Sequence, residues 1–334
     1  MRVAVLGAGA VGARAARQLA STPTVTEVVV SDLDTTRADL TVRSIADQTP
    51  GRVRTAPVGA WADGADVGLI TVPSGDGAHR TLAERLLEQG AHVVSTADDS
   101  GDVRALLDLD AEARERGRTV AIGAGFAPGL TDVLAAHAAA RFDQVDELHI
   151  AKVGTAGPAC ARQHHRALTG EALDWRDGAW QRRRGGSGRE LCWFPDPVGG
   201  QDCYRAALPD AWLLHGAFPD AERITARMGA TRRDRLTAGL PMLRKPHPEG
   251  TVGAVRVELR GRRGGTRDVV IFGAMDRPGV AAGCVAAVTA AWCGEGRAER
   301  SGAAGLGELV APVPFLAELA RRGVKAAAFD GVPA

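Results

Sequence analysis

The chain has 334 residues, 45% of them apolar and 24% charged, and its 41 basic residues are balanced by 40 acidic residues for a net charge of +1. Such a length can bury the cores of two globular units. The balanced charge argues against nucleic acid or an anionic membrane as a general partner. Because we find neither a long apolar run nor a cleavable signal pattern, we expect a cytoplasmic protein that does not bind a membrane.

The first 125 residues alternate short β-branched runs with amphipathic segments. The predicted strands are VAVL (3–6), EVVVSD (27–32), DVGLITVP (66–73), HVVST (92–96) and TVAIG (119–123). Strands separated by helical segments of about 10 to 15 residues favour parallel pairing through right-handed crossovers. The pattern therefore predicts an α/β fold with a doubly wound, Rossmann-type parallel sheet.

Beyond residue 135 the period of the apolar residues changes to two. Alternating segments occupy 146–154, 222–229, 253–261 and 267–276, and the turn signal RGRRGGT joins the last two as a hairpin. This pattern predicts an α+β lobe with a mainly antiparallel sheet.

The C-terminal part of the chain is rich in small residues. We expect a helix at 276–293, a loop at 294–305 and then a helix and a strand within 311–329, all packed back on the first lobe. The predicted division is a Rossmann domain of residues 1–127 and 278–334, and a substrate and dimerisation domain of residues 128–277. We expect a homodimer.

The first glycine turn meets the contextual requirements of a dinucleotide fingerprint. Gly7, Gly9 and Gly12 stand between a predicted strand and a helix, and the second strand ends in Asp32, twenty residues after Gly12. Gly7 would permit the tight turn, Gly9 the approach of a pyrophosphate and Gly12 the contact of helix with strand. A tight turn that binds no ligand is the alternative.

The acidic residue favours NAD as cofactor. The Asp32 carboxylate could accept hydrogen bonds from both ribose hydroxyls and would repel a 2′-phosphate. NADP is the alternative, because Arg37 or Arg43 could pair with that phosphate, but we favour a solvated helix face for both arginines.

A second glycine turn, GAGFAPG (123–129), lacks an acid-ended strand behind it. We expect it to carry the chain across a cleft between the lobes, with Pro128 and Gly129 at the start of the next helix. Ligands of open parallel sheets lie at the carboxyl ends of the strands. The segments 71–75 and 95–100 should therefore form the floor of this cleft.

Several stretches together resemble the saccharopine dehydrogenase-like oxidoreductases, a group that includes saccharopine reductases, lysine 6-dehydrogenase and carboxynorspermidine dehydrogenase. They are GAGAVG, VVVSDLD, VPSGDGAHRTLAERLLEQGAHVVSTADD, VRALLDLDAEARERGRTVAIGAGFAPGLTDVLA and PVPFLAELARRGV. The resemblance implies a nicotinamide-dependent enzyme that transfers a hydride at a C–N centre of an amino acid or polyamine. The family's cofactor residues correspond to Gly7, Gly9, Ala10, Val11, Gly12, Asp32, Val72 and Pro73.

Reduction of an imine needs a proton for nitrogen and a group that holds the substrate's charge. Asp98 and Asp99 follow the strand at 92–96, and we expect Asp98 at the cleft and the other carboxylate as a helix N-cap. Lys152 could face the cleft as a proton donor, although a lysine on a sheet surface is the alternative. His164 or His165 could be a general acid near neutral pH, although a solvated histidine pair is the alternative.

Other residues are weaker candidates. Arg162, Arg205 and Arg244 could clamp a substrate carboxylate with a bidentate guanidinium. The five scattered cysteines suggest reduced core thiols, and no residue spacing points to a metal. Two other functions stay open: a reductase of semialdehydes or ketones, resembling homoserine dehydrogenase, and a cofactor-binding protein without catalysis.

Overall fold

The computed structural model describes residues 1–242 and 245–329, and its first sheet is parallel. The strands of this sheet are β1 (Arg2–Leu6), β2 (Glu27–Ser31), β3 (Val53–Thr55), β4 (Val67–Ile70), β5 (His92–Ser95), β6 (Thr119–Ile122) and β15 (Gly302–Gly305). Their order across the sheet is β3-β2-β1-β4-β5-β6-β15. The first six strands thus have the order of the dinucleotide-binding folds, and the predicted Rossmann-type sheet is confirmed.

Helices cover both faces of this sheet. They include α1 (Gly12–Ala20), α2 (Thr35–Ala46), α3 (Ala78–Glu88), α4 (Ser100–Leu107), α5 (Asp110–Glu115) and α10 (Pro278–Gly294). All residues of β4 and β6 are buried, as expected for parallel strands with helices on both sides. Helix α1 turns Ala15, Ala16 and Leu19 toward the strands, because positions three or four apart share one helix face.

The second sheet has nine strands within the described residues. They are β7 (Gln144–Val153), β8 (Glu171–Arg176), β9 (Ala179–Arg184), β10 (Glu190–Trp193), β11 (Gly200–Tyr204), β12 (Arg223–Gly229), β13 (Gly253–Arg263), β14 (Thr266–Asp276) and β16 (Ala326–Phe329). Seven of them follow the order β10-β11-β12-β7-β13-β14-β16, and the β8–β9 hairpin attaches to β12. Every pairing is antiparallel except that of β12 with β7, so the predicted mainly antiparallel sheet is confirmed.

The predicted hairpin is β13–β14, in which Arg263 pairs with Thr266. Gly264 and Gly265 both have positive φ, as a two-residue turn of this kind requires. The remaining helices are α6 (Leu130–Ala139), α7 (Pro158–Ala167), α8 (Asp210–Ala217), α9 (Arg232–Thr237), α11 (Leu306–Leu309) and α12 (Pro312–Arg321).

Helix α10 returns the chain to the first sheet, as its small residues predicted. A Cβ at Gly283 would lie 2.7 Å from the Arg14 Cβ and 3.0 Å from the Ala15 nitrogen, so only glycine allows α10 to lie this close to α1. Nearly every residue of α10 is buried in the protein. In the described part of the chain, no helix is both long and apolar enough to cross a membrane.

Two C-terminal segments differ from the sequence-based prediction. Residues 302–305, expected in a loop, form strand β15 beside β6. The strand has no β-branched residue to signal it, and its Gly302 and Gly305 fit close against Asp110 and Leu213. Strand β16 pairs with β14 in the second sheet, although the predicted division placed the chain's end with the first.

Candidate active site

A cavity lies where the carboxyl ends of the first sheet's strands meet the second sheet. The first sheet and its loops contribute Val11, Thr71, Val72, Pro73, Ser74, Thr96 and Asp98. The crossing turn and α10 contribute Gly125, Phe126, Ala127, Pro128, Pro278 and Ala282. The second unit contributes Lys152, Val153, Gly154, Ala156, Ala159, Cys160, Gln163, His164 and Arg166. Both segments predicted for the cleft floor and the second glycine turn therefore border one cavity.

The first glycine turn is tight on one side and open on the other. Gly7 has a φ of +103°, and a Cβ at Gly12 would lie 1.8 Å from the Gly7 carbonyl oxygen. The Thr71 hydroxyl donates to that carbonyl at 2.8 Å, which ties the turn to the loop after β4. A Cβ at Gly9 would meet no atom within 4 Å. The turn therefore needs Gly7 and Gly12 for its own shape, whereas the space over Gly9 is free for a ligand.

Asp32 lies beside this turn. Its carboxylate accepts hydrogen bonds from the Ala8 and Asp34 N–H groups at 2.7 and 2.8 Å. Arg37 is exposed on α2, and its guanidinium lies 3.6 Å from the Asp32 carboxylate and 3.3 Å from that of Asp34. Arg43 is exposed.

Two buried residues hold the loop after β4 in place. Burial lowers the pKa of His79, so its neutral ring can donate from one nitrogen and accept at the other. Nε2 contacts the Val72 carbonyl at 3.1 Å, which can only accept, and Nδ1 contacts the Ser95 hydroxyl at 2.8 Å. The Asp102 carboxylate accepts from the Gly75 N–H at 2.6 Å.

The adjacent aspartates after β5 have different roles. Asp99 is the N-cap of α4, accepting from the Gly101 and Asp102 N–H groups. The Asp98 carboxylate lines the cavity and accepts from the Ser74 hydroxyl at 2.5 Å. Burial raises the pKa of Asp98, opposed by the positive charge of Lys152 and by the Ser74 hydrogen bond.

Lys152, near the end of β7, also lines the cavity, and its charge acts on the Asp98 carboxyl. Its side chain is buried. The alternation of residues along the strand could not distinguish this position from one on the exposed surface of the sheet. The ammonium donates to the Ala127 carbonyl at 2.8 Å and lies 3.8 Å from a carboxylate oxygen of Asp210. Lys152 thus joins the second sheet to the turn that crosses between the units.

Helix α7 adds a residue pair to the lining of the cavity. Cys160 and His164 are four residues apart, so the helix places them on one face, with Sγ 3.5 Å from Nε2. A carboxylate oxygen of Asp98, the Sγ of Cys160 and an imidazole nitrogen of His164 all lie within 4.8 Å of one another. The same residue types bind zinc in other proteins, but the nearby charge of Lys152 makes this cluster less suited to a cation.

This environment fixes where protons are held. Burial, aided by the Lys152 charge, lowers the pKa of His164 to about 3. Burial and the charge of Asp98 raise the pKa of Cys160 to about 12. At neutral pH the imidazole is therefore neutral and the thiol protonated. A general acid must carry a proton to donate, and His164 with this pKa has no imidazolium at neutral pH. The expectation that His164 is a general acid near neutral pH therefore does not fit its surroundings.

The other sequence candidates lie elsewhere. His165 contacts the Leu240 carbonyl, Arg162 is exposed, and Arg205 pairs with Asp174. Arg244 lies outside the described residues.

Arg166 is the arginine that lines the cavity, and with Cys160 it was missed by the sequence-based search. Cys160 is the one cysteine that is not fully buried, which corrects the prediction of core thiols for this position. The spacing of Cys160 and His164 was a signal that could have found it.

Comparison with known proteins shows the fold. No protein-family model matches the chain. Saccharopine dehydrogenase (L-glutamate forming) from Saccharomyces cerevisiae superposes with a TM-score of 0.68 at 15% identity, over 98% of this chain and 99% of that one. The DAP dehydrogenase of C. glutamicum, solved in complex with DAP, gives a TM-score of 0.51 at 17% identity, over 97% and 99% of the two chains. The chain has a saccharopine dehydrogenase-like fold.

The raised pKa of Cys160 predicts slow alkylation despite its place on the cavity wall. With a pKa of about 12 the folded protein holds roughly a thousandfold less thiolate at pH 8 than an unfolded chain. We expect iodoacetamide to modify Cys160 at least about a hundredfold more slowly in the folded than in the urea-unfolded protein, as measured by peptide mass spectrometry.

The pH dependence separates protonation from access of the reagent. The rate in the folded protein should keep rising about tenfold per pH unit up to pH 10, whereas that of the unfolded chain levels off near pH 9. Rapid, pH-independent labelling at pH 7 would show that Cys160 is a thiolate and contradict this assignment.

Proposed function

We propose that the chain is a nicotinamide-dependent oxidoreductase that acts at the C–N bond of an amino-acid-like substrate. The observation that carries the proposal is the cavity itself, which brings the end of the glycine turn at Val11 together with Asp98 and Lys152. Dehydrogenases with this fold, such as the two compared above, make an oxidoreductase the first activity to test. The residues of the cavity indicate what it would bind.

The glycine turn fits a dinucleotide. A pyrophosphate would lie at the start of α1, over Gly9, where a Cβ would meet no protein atom within 4 Å. The residues that would hold the cofactor are Gly7, Gly9, Ala10, Val11, Gly12, Asp32, Val72 and Pro73. Asp32 favours NAD, while Arg37 beside it leaves NADP as the alternative. When bound, a nicotinamide supplies the hydride that reduces a C=N carbon, or accepts it in the reverse direction.

The chain's own residues supply the proton and the charge. Lys152 holds a proton at Nζ that can pass to the substrate nitrogen as the C=N bond is reduced, and that returns in the reverse direction. Asp98, which also lines the cavity, can bind the positive charge of an amine or iminium. Arg166 can pair with a substrate carboxylate, because this residue lines the cavity and its guanidinium can bind a carboxylate with two hydrogen bonds. Together these three groups suit an amino acid.

Replacement of Gly9 tests the cofactor assignment. Gly9→Val should abolish cofactor binding and leave the fold intact, because a side chain there meets no protein atom but occupies the space over the turn. Calorimetric titration with NADH measures the loss. Gly59→Val is the matched control, since a Cβ at Gly59 also meets nothing within 4 Å and Gly59 does not line the cavity. Unchanged NADH affinity in folded Gly9→Val would remove the turn from the binding site.

Replacement of Asp32 tests the choice of cofactor. We expect the protein to bind NADH more tightly than NADPH, and Asp32→Ser to weaken NADH binding by roughly ten- to hundredfold through the loss of hydrogen bonds to a charged acceptor. Asp34→Ser is the control, because serine can keep the N-cap of α2. A wild-type preference for NADPH would show that Arg37 decides the specificity instead.

Steady-state assays test the reaction. The protein should oxidise NADH with an amine and a carbonyl compound together, at least one of them an amino acid, or reduce NAD with an amino acid alone. Lys152→Met and Asp98→Asn should each lower kcat about a hundredfold to ten-thousandfold, the usual value of acid–base assistance, with little change in cofactor affinity. Lys325→Met, at an exposed lysine, is the control.

The assay also distinguishes the alternatives. Turnover of a ketone or semialdehyde without an amine would identify a carbonyl reductase. Cofactor binding without turnover of any pair would support a protein that has lost catalysis. A near wild-type rate for Lys152→Met would remove Lys152 as the proton donor.

A further inference from the structure

Two buried carboxylates lie near Lys152 and do not line the cavity. Asp132 belongs to the first turn of α6 and Asp210 to the first turn of α8, and both side chains are essentially inaccessible to solvent. Among the described residues, neither oxygen of Asp210 has a hydrogen-bond partner, nor has Oδ2 of Asp132. Asp210 forms an ion pair with Lys152, whose Nζ lies 3.8 Å from Asp210 Oδ2.

The charges of this group cannot all be present. A buried carboxylate must be paired with a cation or take up a proton. One ammonium balances one carboxylate, and two carboxylates at close quarters do not both ionise. Burial and the neighbouring Asp210 raise the pKa of Asp132 well above its usual value. Asp132 is therefore the acid that keeps its proton, and Asp210 is the carboxylate that pairs with Lys152.

We propose that Asp210 is a positioning residue for Lys152, a buried counter-ion that keeps the Lys152 amine charged and fixed on the cavity wall. The proposal deepens the proposed function, on which its kinetic part rests. This role accounts for a buried carboxylate that has no hydrogen-bond partner among the described residues and does not line the cavity. The protonated Asp132 completes a group of net neutral charge.

The titratable groups that interact with the Lys152 charge lie on several elements, and the neighbouring strands β12 and β13 place Met228 and Val255 beside Lys152. Asp98 follows β5, Asp132 lies on α6, Cys160 and His164 lie on α7, and Asp210 lies on α8. The thiol and the imidazole are neutral at pH 7. Asp98 is thus the other carboxylate that could serve as counter-ion, and the experiment must separate it from Asp210.

Lysine NMR gives the direct test, because the chain has only three lysines, at positions 152, 245 and 325. With ¹³Cε-labelled lysine, the Lys152 resonance is identified as the one missing from Lys152→Met. In Asp210→Asn we expect the Lys152 amine to lose its proton at lower pH than in the wild type, and the chemical shift of this resonance reports that titration. In Asp132→Asn, where an amide replaces an already neutral acid, and in Asp210→Glu, which keeps the charge, its titration should stay as in the wild type.

The kinetic readout follows from the same charge. The kcat of Asp210→Asn at pH 7 should fall roughly ten- to hundredfold, and its activity should decline at lower pH than that of the wild type as the pH rises. Asp210→Glu should recover the wild-type pH profile. A fall in activity with no change in pH profile or lysine titration would indicate a merely structural residue and overturn the proposal.

Stability keeps the proposal testable if Asp210→Asn folds poorly. For a counter-ion pair, the double variant Lys152→Met/Asp210→Asn should have a higher melting temperature than Asp210→Asn, because both charges are gone. No recovery in the double variant would overturn the pairing. So would a Lys152 titration that responds to Asp98→Asn and not to Asp210→Asn.

The NMR titration of Lys152 does not require the protein to convert any substrate. An unchanged Lys152 titration in Asp210→Asn therefore refutes the positioning role whatever the substrate is. The expected titration shift in a protein that turns over no amine would instead refute the proposed function alone.

Discussion

The buried positive charge of Lys152, where the second sheet meets the first, is the constraint around which the cavity is arranged. The register of β7 between β12 and β13 sets its position, with Lys152 opposite Met228 and Val255. Its charge helps to keep His164 neutral and opposes the rise in the pKa of Asp98. A buried ammonium must be balanced by a negative charge. The ionisation of Lys152 therefore depends on the carboxylates of several neighbouring elements.

The cavity exists only where the two units are joined. Asp99 caps a helix of the first sheet and also accepts from the Gln163 amide of α7 at 3.0 Å. Gln163 in turn accepts from Arg166 at 2.7 Å. This hydrogen-bonded chain links a loop of the Rossmann sheet to the helix that carries Cys160 and His164. A change at the helix cap would therefore alter the geometry of the opposite wall.

Local patterns determined the parts of the site that depend on a single turn or strand end. The spacing of Gly7, Gly9 and Gly12 predicted the tight turn before α1, and the position of Asp98 after a strand predicted its place at the cleft. Period-two alternation likewise predicted β13 and β14 as a hairpin. The small residues of β15 carried no such signal, because its strand conformation comes from pairing with β6 and not from local propensity.

The sequence by itself determined the parallel first sheet, the antiparallel pairs of the second and the presence of an acid, a lysine and a histidine near one cleft. Only the tertiary structure decided that His164 is neutral, that Cys160 lines the cavity and that Asp210 lies beside the Lys152 ammonium. These properties depend on burial and on distances between charges that are far apart along the chain, such as the 58 residues from Lys152 to Asp210. Residue type and spacing encode helix faces and strand ends, but the loss of solvent that sets a protonation state exists only once those elements have packed.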